Sequence, residues 1–539
     1  MDPRLQTWPA MVASIALATF AYAAVRLYQH RRQFKDLPKP PYSFLWGHIK
    51  LMGEIFALFP ANVHFQYVIT TISQKYNLPG LFYIDLWPVG PTQLIVTDPD
   101  VALYMTVHKD HPKHPAEKVF VDPIVGKNNI VTAEGRQWKY LHNMIGSAFG
   151  ISQIKSILPM VAEEAMTYRS ILHELAESGE TFSLDEVSSN LTFDIMGRAI
   201  FGTSFGAQHY GSFALTAFKD ICAAFAVERE SWNPITIFFT KRKRWAAHRR
   251  LDPMLKKMLR ERFEVLQRDN LDVSKKRGLS IMDLILRDRL EEVRQSVTDT
   301  IQTLDPGFVD VAVTQIKTLL LAGSGTTQDT ICFMFMLLSA HPEVVKKLRE
   351  EHDRVFTPGI EATFAMLQES PNKVNELEYS TNVIKETLRF YPIGNTVRAE
   401  DGTGFLAYNG RTFSTRGHMI CPVQHTMHMD PRIFPNPKAF DPDRFARGES
   451  PRHAWRPFER GSRACLGQNF AMDELRVVLL LTTRDFDFKC ANLKLRERPR
   501  VPWFDFDLIF GDLAFQEFVF EARPRDGMPM TVKRSSGAL

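Results

Sequence analysis

A ten-residue segment that ends at Gly467 constrains the fold of this chain more than any other, because it surrounds one cysteine with two glycines and an arginine. Residues 471–481, which follow, are good helix formers, so Cys465 lies just before or at the start of a helix. The unsatisfied N–H groups and the positive dipole end of a helix favour a thiolate there. Gly461 and Gly467 let the backbone approach the sulfur and a flat ligand closely, and Arg463 is placed to meet an anionic group.

The cysteines as a set do not form a recognisable metal or disulfide framework. There are five, an odd number with wide spacing: Cys222, Cys332, Cys421, Cys465 and Cys490. No Cys-x-x-Cys pair occurs, which argues against a zinc ribbon, an iron–sulfur ferredoxin and a disulfide scaffold. The lack of Cys-x-x-Cys-His excludes covalently attached c-type haem. Most of the chain is therefore expected in a reducing compartment.

The segment around Cys465 resembles the signature of the cytochrome P-450 family, Phe-x-x-Gly-x-Arg-x-Cys-x-Gly. All five fixed positions of this highly specific signature match, namely Phe458, Gly461, Arg463, Cys465 and Gly467. The resemblance implies a noncovalently bound haem b, with Cys465 as the axial thiolate ligand of the iron and with Phe458 and Arg463 beside the cofactor. Thiolate ligation donates electron density to iron and favours O–O cleavage. The resemblance also implies the family's fold, mainly α-helical with a smaller β region.

An apolar segment near the N-terminus is predicted to anchor the chain in a membrane. Residues 8–25 carry no charge and would form a helix of about 27 Å, close to the thickness of a bilayer core. Basic residues follow at once: Arg26, His30, Arg31, Arg32 and Lys35. The positive-inside rule then places the rest of the chain in the cytosol. A cleaved signal peptide is the alternative, but its positive charge would precede the apolar stretch.

Three parts are predicted along the chain. Residues 1–27 form a single-pass anchor in the endoplasmic reticulum membrane, residues 28–48 a basic and proline-rich linker, and residues 49–539 one haem-binding catalytic domain. Hydrophobic residues make up 45% of the 539 positions, which is ample for a large core. The net charge is only +5 and no stretch interleaves aromatic with basic residues, so no nucleic-acid partner is expected.

Most of the predicted catalytic domain has the periodicity of amphipathic helices. The clearest predicted helices are residues 161–176, 253–267 and 343–355. Short predicted strands are residues 81–86 and 92–97. Near the C-terminus, residues 517–521 and 530–533 are predicted to pair around a turn at residues 525–527.

Further motifs follow the order that the family shows. By resemblance, Glu386, Arg389 and Arg444 form a cluster that supports the haem pocket and takes no part in catalysis. The spacing Glu-x-x-Arg alone is weak evidence, because it recurs at residues 291–294 and 351–354, which are expected to be surface pairs of little consequence. Arg398 matches the position of an arginine that pairs with a haem propionate.

An early helix carries the first departure from the family pattern. Trp138 matches the family's Trp-x-x-x-Arg motif, but His142 stands at the arginine position. By resemblance both contact the cofactor, since a histidine can still bond a propionate. An ordinary surface histidine is the alternative.

The second departure concerns catalysis. Residues 316–338 are predicted to form a long apolar helix that contains Gly323 and Gly325, each costing roughly 1 kcal/mol in a helix interior. A kink or groove for a ligand, or close helix packing, would explain that cost. The resemblance implies that this helix crosses the distal haem face at Gly323, and that Thr326 and a preceding acid deliver protons there. Gly325 replaces the acid, so we hypothesise that Asp329, one turn further on, or ordered water carries the relay.

The resemblance implies insertion of one atom of O2 into a substrate C–H or C=C bond, with the other atom leaving as water. No phosphate-binding glycine loop or flavin domain is present, so electrons are expected from NADPH–cytochrome P-450 reductase. Lys139, Arg456 and Arg460 are candidates for a docking patch for that acidic flavoprotein. Solvated charges or propionate ligands are the alternative.

The substrate is expected to be a hydrophobic small molecule. Family position suggests contacts from residues 124–130, 213–225, 319–326 and 393–397. These are mainly apolar, with Asn395 and Thr396 as hydrogen-bond donors, which suits a terpenoid, polyketide or fatty acyl compound. The chain is most similar to the fungal members that tailor secondary metabolites.

One basic segment allows two interpretations. Apolar residues 235–239 precede four basic residues at 241–244 and Trp245. They form either a solvated charge run at a helix start or a second contact with the anionic membrane face.

Three other functions stay open at the level of sequence. A haem-thiolate isomerase or dehydratase would need no reductase, and the missing acid at Gly325 is compatible with it. A non-catalytic haem sensor or electron carrier would need no distal pocket. A membrane-tethered structural protein would bind no haem.

Overall fold

The computed structural model describes residues 3–268, 279–295, 303–519 and 522–535. Its α-helices are α1 Pro3–Arg32, α2 Ile49–Phe56, α3 Phe65–Lys75, α4 Pro99–Leu103, α5 Ala116–Val125, α6 Gly135–Gly146, α7 Ile151–Ser178, α8 Leu184–Phe201, α9 Ala207–Tyr210, α10 Phe213–Glu230, α11 Pro234–Arg268, α12 Ile281–Gln295, α13 Pro306–Leu320, α14 Thr326–Leu338, α15 Pro342–Phe356, α16 Ile360–Glu369, α17 Glu378–Phe390, α18 Gln424–His428, α19 Arg444–Arg447, α20 Gln468–Thr482 and α21 Asp507–Phe510. Its strands are β1 Leu81–Ile84, β2 Gln93–Val96, β3 Phe182–Ser183, β4 Phe405–Tyr408, β5 Arg411–Ser414, β6 Met419–Pro422, β7 Phe486–Cys490, β8 Glu517–Phe518, β9 Ala522–Arg523 and β10 Pro529–Arg534. The segments Tyr104–His108 and Leu321–Gly325 form π-helical turns, and the 3₁₀ turns are Ser147–Phe149, Pro371–Glu376, Gly511–Ala514 and Arg525–Gly527.

The helices predicted from periodicity are confirmed. Residues 161–176 lie inside α7, residues 253–267 inside α11, and residues 343–355 inside α15. In α7 the fully buried side chains of Ala165, Tyr168 and Leu172 recur every three or four residues, which is the spacing of one helix face. Strands β1 and β2 form within the two predicted strand segments and pair antiparallel.

Helix α1 is exposed along its apolar part and, among the described residues, is long and apolar enough to cross a membrane within Met11–Arg32. It continues without a break past residue 27 to Arg32. Its last turn is bound to the rest of the molecule: Arg31 is 1% exposed and forms an ion pair with the buried carboxylate of Asp85. Arg31 Nη2 also donates to the carbonyl oxygens of Leu45 at 3.1 Å and Trp87 at 3.0 Å. The end of the apolar helix is therefore clamped onto the domain that follows it.

The strands form small sheets at the periphery of the helices. One sheet has the order β1-β2-β6, with β2 and β6 parallel, and another has the order β3-β10-β7. The remaining pairs are β4 with β5 and β8 with β9.

The predicted pairing of residues 517–521 with residues 530–533 is wrong, and residues 520–521 lie outside the described residues. Strand β8 pairs instead with β9, and β10 pairs with β3 and β7. The reason is burial: Met530 and Val532 are fully buried on one face of β10. That apolar face requires a partner whose own alternate residues are buried, and β7 supplies one with the pattern Phe486, Phe488 and Cys490.

The core lies among α7, α8, α14 and α20, which pack on one another. The predicted long helix at residues 316–338 is confirmed as α13 and α14, joined by the π-helical turn Leu321–Gly325. The glycines therefore widen one turn of the helix, as π-bulges at functional sites often do. This turn and the start of α20 are the two elements that position the site.

Candidate active site

Cys465 lies in a tight loop directly before α20. Its backbone N–H donates to the carbonyl oxygen of Phe458 at 2.9 Å, and α20 begins three residues later at Gln468. Cys465 lines two adjoining cavities. The main cavity also contains residues of α6 and α13, and the side cavity contains residues 393–396. The predicted position of the cysteine at a helix start, beside a ligand space, is therefore what the structure has.

Two opposing effects act on the Cys465 thiol. Cys465 is exposed to the cavity that it lines, and desolvation by the surrounding protein raises the pKa of its thiol, while the backbone N–H groups of Gly467 and Gln468 lower it by less. The helix-start effect expected from sequence is thus present but smaller than desolvation. A metal cation bound in the cavity would keep the sulfur in its thiolate form, because coordination to a metal deprotonates a thiol.

Gly461 holds the cysteine loop in place through backbone geometry. Its φ is +88°, and a Cβ there would collide with the carbonyl oxygen of Thr106. At Gly467, in contrast, an added Cβ would lie 3.8 Å from the sulfur, an ordinary contact. A residue without a side chain is therefore required at Gly461, where the loop packs against the π-helical turn Tyr104–His108, and is not required by packing at Gly467.

The predicted reductase-docking role of Arg456 is wrong. Arg456 is 1% exposed, forms an ion pair with Glu459 at 2.5 Å, and donates to the Thr106 hydroxyl at 2.8 Å. All of these contacts come from Nη2, while Nε and Nη1 have no hydrogen-bond partner among the described residues; a guanidinium buried in this way braces the loop and cannot meet a protein partner. Lys139 is exposed, and Arg460 is half-buried against the Trp455 carbonyl.

Lys113 and Arg463 line the main cavity, and Arg398 lies beside Lys113 without lining the cavity itself. Arg398 is fully buried; its Nη1 donates to the His111 carbonyl at 3.1 Å, while its Nε and Nη2 have no hydrogen-bond partner among the described residues. Lys113 lines the cavity and bonds Glu117 at 3.0 Å, and Arg463 bonds Glu134 at 2.6 Å.

Burial has the largest effect on the pKa values of two of these cations, Lys113 and Arg463. Burial lowers the pKa of Lys113, and Arg398 and Arg463 lower it further, against the opposing effect of Glu117. The carboxylates that act on these cations are those of Glu117, Glu134 and Asp110, and Arg398 keeps two donors without a partner among the described residues. Buried unpaired donors are costly, so a ligand with carboxylate groups fits this edge of the cavity.

Sequence reasoning missed Lys113. The residue pairs with Arg398 in an isolated antiparallel bridge, and no spacing signal connects two positions so far apart in the chain. Only the fold brings them together.

Helix α6 places Trp138 and His142 on the cavity wall, with ring centroids 4.9 Å apart. The guanidinium of Arg463 lies 4.2 Å from the Trp138 ring centroid, a cation–π contact that links α6 to the cysteine loop. His142 therefore lines the cavity, and its contact with a cofactor stays a prediction.

The opposite wall of the main cavity comes from the widened helix. Ala322, Gly323 and Thr326 line it. A Cβ on Gly323 would collide with the thioether of Met196, which lines the same cavity. Gly323 is thus required for packing of α8 against the π-helical turn, as well as for a bare backbone at the cavity.

Of the two candidate relay residues, the structure brings one to the cavity. The Thr326 hydroxyl donates to the Ala322 carbonyl at 2.7 Å and lies on the wall of both cavities. Asp329 is fully buried on α14 and is not among the residues lining either cavity. Thr327, which the sequence did not single out, also lines both.

The predicted Glu–Arg–Arg cluster is present. Glu386 accepts from Arg389 Nε and Nη2, both at 2.9 Å, and from Arg444 Nε at 3.0 Å. All three side chains are buried. Their remaining donors bind backbone carbonyl oxygens, including those of His428 at the end of α18 and of Pro435, so the cluster ties α17 to the segments that precede Cys465.

The expectation that Glu351 belongs to an inconsequential surface pair is wrong. Glu351 is 2% exposed and accepts from the backbone N–H groups of Tyr379 at 2.6 Å and Ser380 at 2.8 Å. These donors lie in the first turn of α17, where N–H groups have no partner within the helix. Glu351 therefore caps α17 from a distance.

The four segments expected to contact substrate differ in placement. Ile130, Leu319 and residues 393–396 line the cavities. None of residues 213–225, all of which the structure describes, is among the lining residues, because α10 packs on α11 and α5. That part of the expectation has no support in the described cavities.

The segment after α10 exposes large apolar side chains. Ile235, Phe238 and Phe239 are 65%, 57% and 63% exposed, and Trp232 and Trp245 are exposed beside them. Of the adjacent basic residues, Arg244 is bound to Glu228 and Lys243 lies 3.5 Å from Asp220. Apolar side chains at this level of exposure are more than a solvated charge run requires.

Comparison with known proteins agrees with this arrangement. The family model for cytochrome P-450 matches residues 40–503. Cytochrome P-450 monooxygenase polC of Polytolypa hystricis is 31% identical over 496 residues, which cover 89% of this chain and 87% of that protein. Cytochrome P-450 monooxygenase acrF of Aspergillus aculeatus is 29% identical over 506 residues, covering 88% and 98%. The crystal structure of the cytochrome P-450DA haem domain aligns with a TM-score of 0.68 at 20% identity, covering 93% of this chain and 96% of that one. The predicted fold class, mainly α with a small β portion, is confirmed.

Proposed function

The chain belongs to the cytochrome P-450 family and is a monooxygenase, and on that premise we propose that it uses haem b, O2 and electrons from NADPH to hydroxylate or epoxidise a hydrophobic small molecule. One arrangement carries the proposal: Cys465, Lys113 and Arg463 line one apolar cavity, and Arg398, buried beside Lys113, has two donors without a partner among the described residues. For a hydroxylation the balance is one substrate C–H bond, one O2 and one NADPH with a proton, giving the alcohol, water and NADP⁺.

The cavity residues fit haem b. Cys465 would ligate the iron, Arg398, Lys113 and Arg463 would bind the propionates, and Trp138, His142, Phe458 and Gly323 would contact the cofactor. When bound, the haem-thiolate supplies the activation of O2 for transfer of one oxygen atom. The protein's part is to fix the thiolate, to satisfy the carboxylates and to exclude bulk water from the cavity.

The substrate class follows from the cavity wall. Leu319, Ile130 and Ile393 make it apolar, so binding is driven by removal of apolar surface from water. The hydroxyl of Thr396 already donates a hydrogen bond to Glu117 at 3.1 Å, and the amide of Asn395 is bound to His64 at 3.3 Å. The hydroxyl of Thr396 therefore has no proton to donate to a ligand. A terpenoid or polyketide intermediate of secondary metabolism is the proposed substrate.

Thr326 is the proposed distal alcohol. Its hydroxyl proton is directed to the Ala322 carbonyl, which leaves its oxygen lone pairs free to hold a water molecule in the cavity. Asp329 is the acid that the sequence offers as the source of protons for this water.

Electron supply and membrane attachment are proposed together. We place residues 1–27 in the endoplasmic reticulum membrane, with residues 28–48 as the linker and residues 49–539 as the cytosolic catalytic domain. The Arg31–Asp85 clamp would hold that domain close to the bilayer, and exposed residues 235–239 would form a second lipid contact. NADPH–cytochrome P-450 reductase, in the same membrane, would donate the electrons, with exposed Lys139 as one docking cation.

The test uses microsomes that contain the full chain and the reductase, incubated with NADPH and a panel of terpenoids, polyketides and fatty acyl compounds. We expect one panel compound to gain a single oxygen atom by mass spectrometry, only with NADPH and reductase. A Cys465→Ala chain in matched microsomes is the control and should give no product.

The other functions predict different results in the same assay. Conversion of a compound without mass gain and without NADPH would indicate a reductase-independent isomerase or dehydratase. Haem binding without substrate-dependent oxygen consumption would indicate a sensor.

A further inference from the structure

The loop between α5 and α6 forms one wall of the main cavity. Ile130 and Val131 of this loop line the cavity, although residues 126–134 have no regular secondary structure. A loop without a helix or strand ladder needs other hydrogen bonds to keep its backbone in one place. The bonds that hold this loop therefore decide the shape of the space that a substrate can occupy.

Buried Asn129 makes the loop a rigid unit. Its Nδ2 donates to the carboxylate of Asp122 and to the carbonyl oxygen of Gly126, both at 2.9 Å. Its Oδ1 accepts from the backbone N–H of Thr132 at 3.0 Å, and Thr132 Oγ1 donates to Asp122 at 3.1 Å. Because these bonds lie within the loop and the end of α5, they fix the shape of the loop but not its distance from α13.

Gln315 on α13 fixes that distance. Its side chain is fully buried; Oε1 accepts from the backbone N–H of Ile130 at 2.9 Å, and Nε2 donates to the carbonyl oxygen of Asn128 at 2.9 Å. Nε2 also donates to the Val311 carbonyl of its own helix at 3.2 Å. Since the loop offers one N–H to the oxygen and one carbonyl to the nitrogen, only one orientation of the amide fits.

Two further observations place this connection next to the ligand space. Leu319, four residues after Gln315 and therefore on the same side of α13, lines the main cavity. Gly126 has a φ of +109°, and a Cβ there would lie 3.1 Å from the Thr314 hydroxyl, so the loop packs closely on the helix. A shift of the Gln315 amide would therefore move Ile130 relative to Leu319.

We propose that Gln315 is a positioning residue that determines substrate specificity by setting the distance between Ile130 on the loop and Leu319 on α13. Gln315 is not among the residues that line either cavity, so it acts through the wall that it holds and does not touch the substrate. The ligands that it selects are apolar molecules that fill the space between these two side chains. The inference rests on the proposed monooxygenase function and adds to it the residue that fixes the width of the substrate space.

The first test needs neither turnover nor a ligand. Amide hydrogen exchange of the full-length protein is read by mass spectrometry on peptides that cover residues 126–134. Gln315→Met keeps a side chain of similar length without its polar atoms and should speed exchange at the Ile130 amide by about fivefold, the effect of one ordinary hydrogen bond. Unchanged exchange in this variant would overturn the proposal.

Gln153→Met is the matched control for both tests. Gln153 is a buried glutamine on α7 that donates to the Leu279 carbonyl and lines neither cavity. Its replacement removes the same polar atoms from the protein interior without touching the loop. Exchange of residues 126–134 should therefore stay at the wild-type rate.

The second test measures selection between ligands. Two imidazoles that coordinate haem iron, the small 4-phenylimidazole and the bulky clotrimazole, are titrated into the holoenzyme and followed by absorbance difference spectra. Because the wall is no longer held against α13, we expect Gln315→Met to shift the ratio of their dissociation constants in favour of clotrimazole by about tenfold or more, the low end of what one methylene contributes in a hydrophobic pocket. Gln315→Asn, whose shorter amide cannot reach both loop groups, should shift the ratio in the same direction and serves if Gln315→Met does not fold. Gln153→Met should keep the wild-type ratio.

A double-mutant cycle separates positioning from a general loss of stability. If Gln315 acts through Ile130, Gln315→Met should have little effect on the ratio in an Ile130→Ala background, because the side chain that it positions is gone. An equal effect in both backgrounds, or a wild-type ratio in a folded Gln315 variant, would overturn the proposal. If neither imidazole changes the spectrum of the wild-type protein, the proposed function itself fails, while hydrogen exchange still decides whether Gln315 holds the loop.

Discussion

Replacing Arg398 by methionine should separate a ligand-binding role from a structural one. In the structure Arg398 is fully buried with one hydrogen bond, from Nη1 to His111, and with Nε and Nη2 unused. Without a ligand, the two unused donors cost about 1–3 kcal/mol, whereas the bond to His111 contributes about 1 kcal/mol. The apoprotein of Arg398→Met should therefore unfold at the same temperature as wild type or higher.

The holoprotein should respond in the opposite direction. A charge-assisted hydrogen bond from Arg398 to a haem propionate contributes about 1.5–3 kcal/mol. At about 1.4 kcal/mol for each factor of ten, its loss should speed haem release by about 10- to 140-fold.

The assay is haem transfer to excess apomyoglobin, followed by absorbance, together with thermal unfolding of both forms. Arg411→Met, at an exposed arginine bound to the Asp36 carbonyl, is the control and should leave haem release unchanged. Equal destabilisation of the apo and holo forms of Arg398→Met, with unchanged haem release, would refute the assignment of Arg398 to the propionates.

Three further predictions follow from the fold. Glu386→Gln leaves two buried arginines without a carboxylate and should lower the free energy of unfolding by about 3–5 kcal/mol, which corresponds to about 3–5 °C in Tm for roughly 490 residues. The exposed Glu291→Gln is the control and should change neither quantity. Equal Tm values for the two variants would contradict this prediction. Gly461→Ala places an L residue at φ +88° against the Thr106 carbonyl. It should lower the free energy of unfolding, measured with urea, by more than about 2 kcal/mol. A smaller decrease would mean that the loop relaxes to accommodate the methyl group. A fluorophore at position 239 of the full chain in anionic vesicles should be quenched by brominated lipid. Replacing residues 241–244 by glutamine should weaken that quenching, because each basic residue contributes about 1 kcal/mol to binding of an anionic membrane. No quenching in the otherwise unchanged chain would place residues 235–239 in water.

The parts of the molecule that sequence predicts are those fixed by local physics. Helix α7 follows from one apolar face, and the cysteine loop follows from a glycine at positive φ next to a helix start. The break in the distal helix follows from the cost of glycine in a helix interior, although its form as a π-helical turn does not. Each of these depends on residues within a few turns of one another.

The parts that sequence does not predict depend on long-range contacts. Lys113 meets Arg398 across the fold, at positions far apart in the chain. Arg456 has the charge of a docking residue but is buried by the π-helical turn it braces. Burial of an arginine cannot be read from its identity, because it depends on whether the fold supplies a partner, as Glu459 does here.

The reduced carbonyl spectrum of the full chain tests the central claim most directly. The account predicts that the wild-type protein binds haem and gives the red-shifted absorption band of a thiolate-ligated carbonyl adduct. Cys465→Ser should still bind haem through the cationic edge of the cavity but should lose that band, while Cys421→Ser, at a buried cysteine far from the loop in sequence, should keep it. A red-shifted band in Cys465→Ser, or a wild-type protein that binds no haem, would contradict the assignment of Cys465 as the axial ligand.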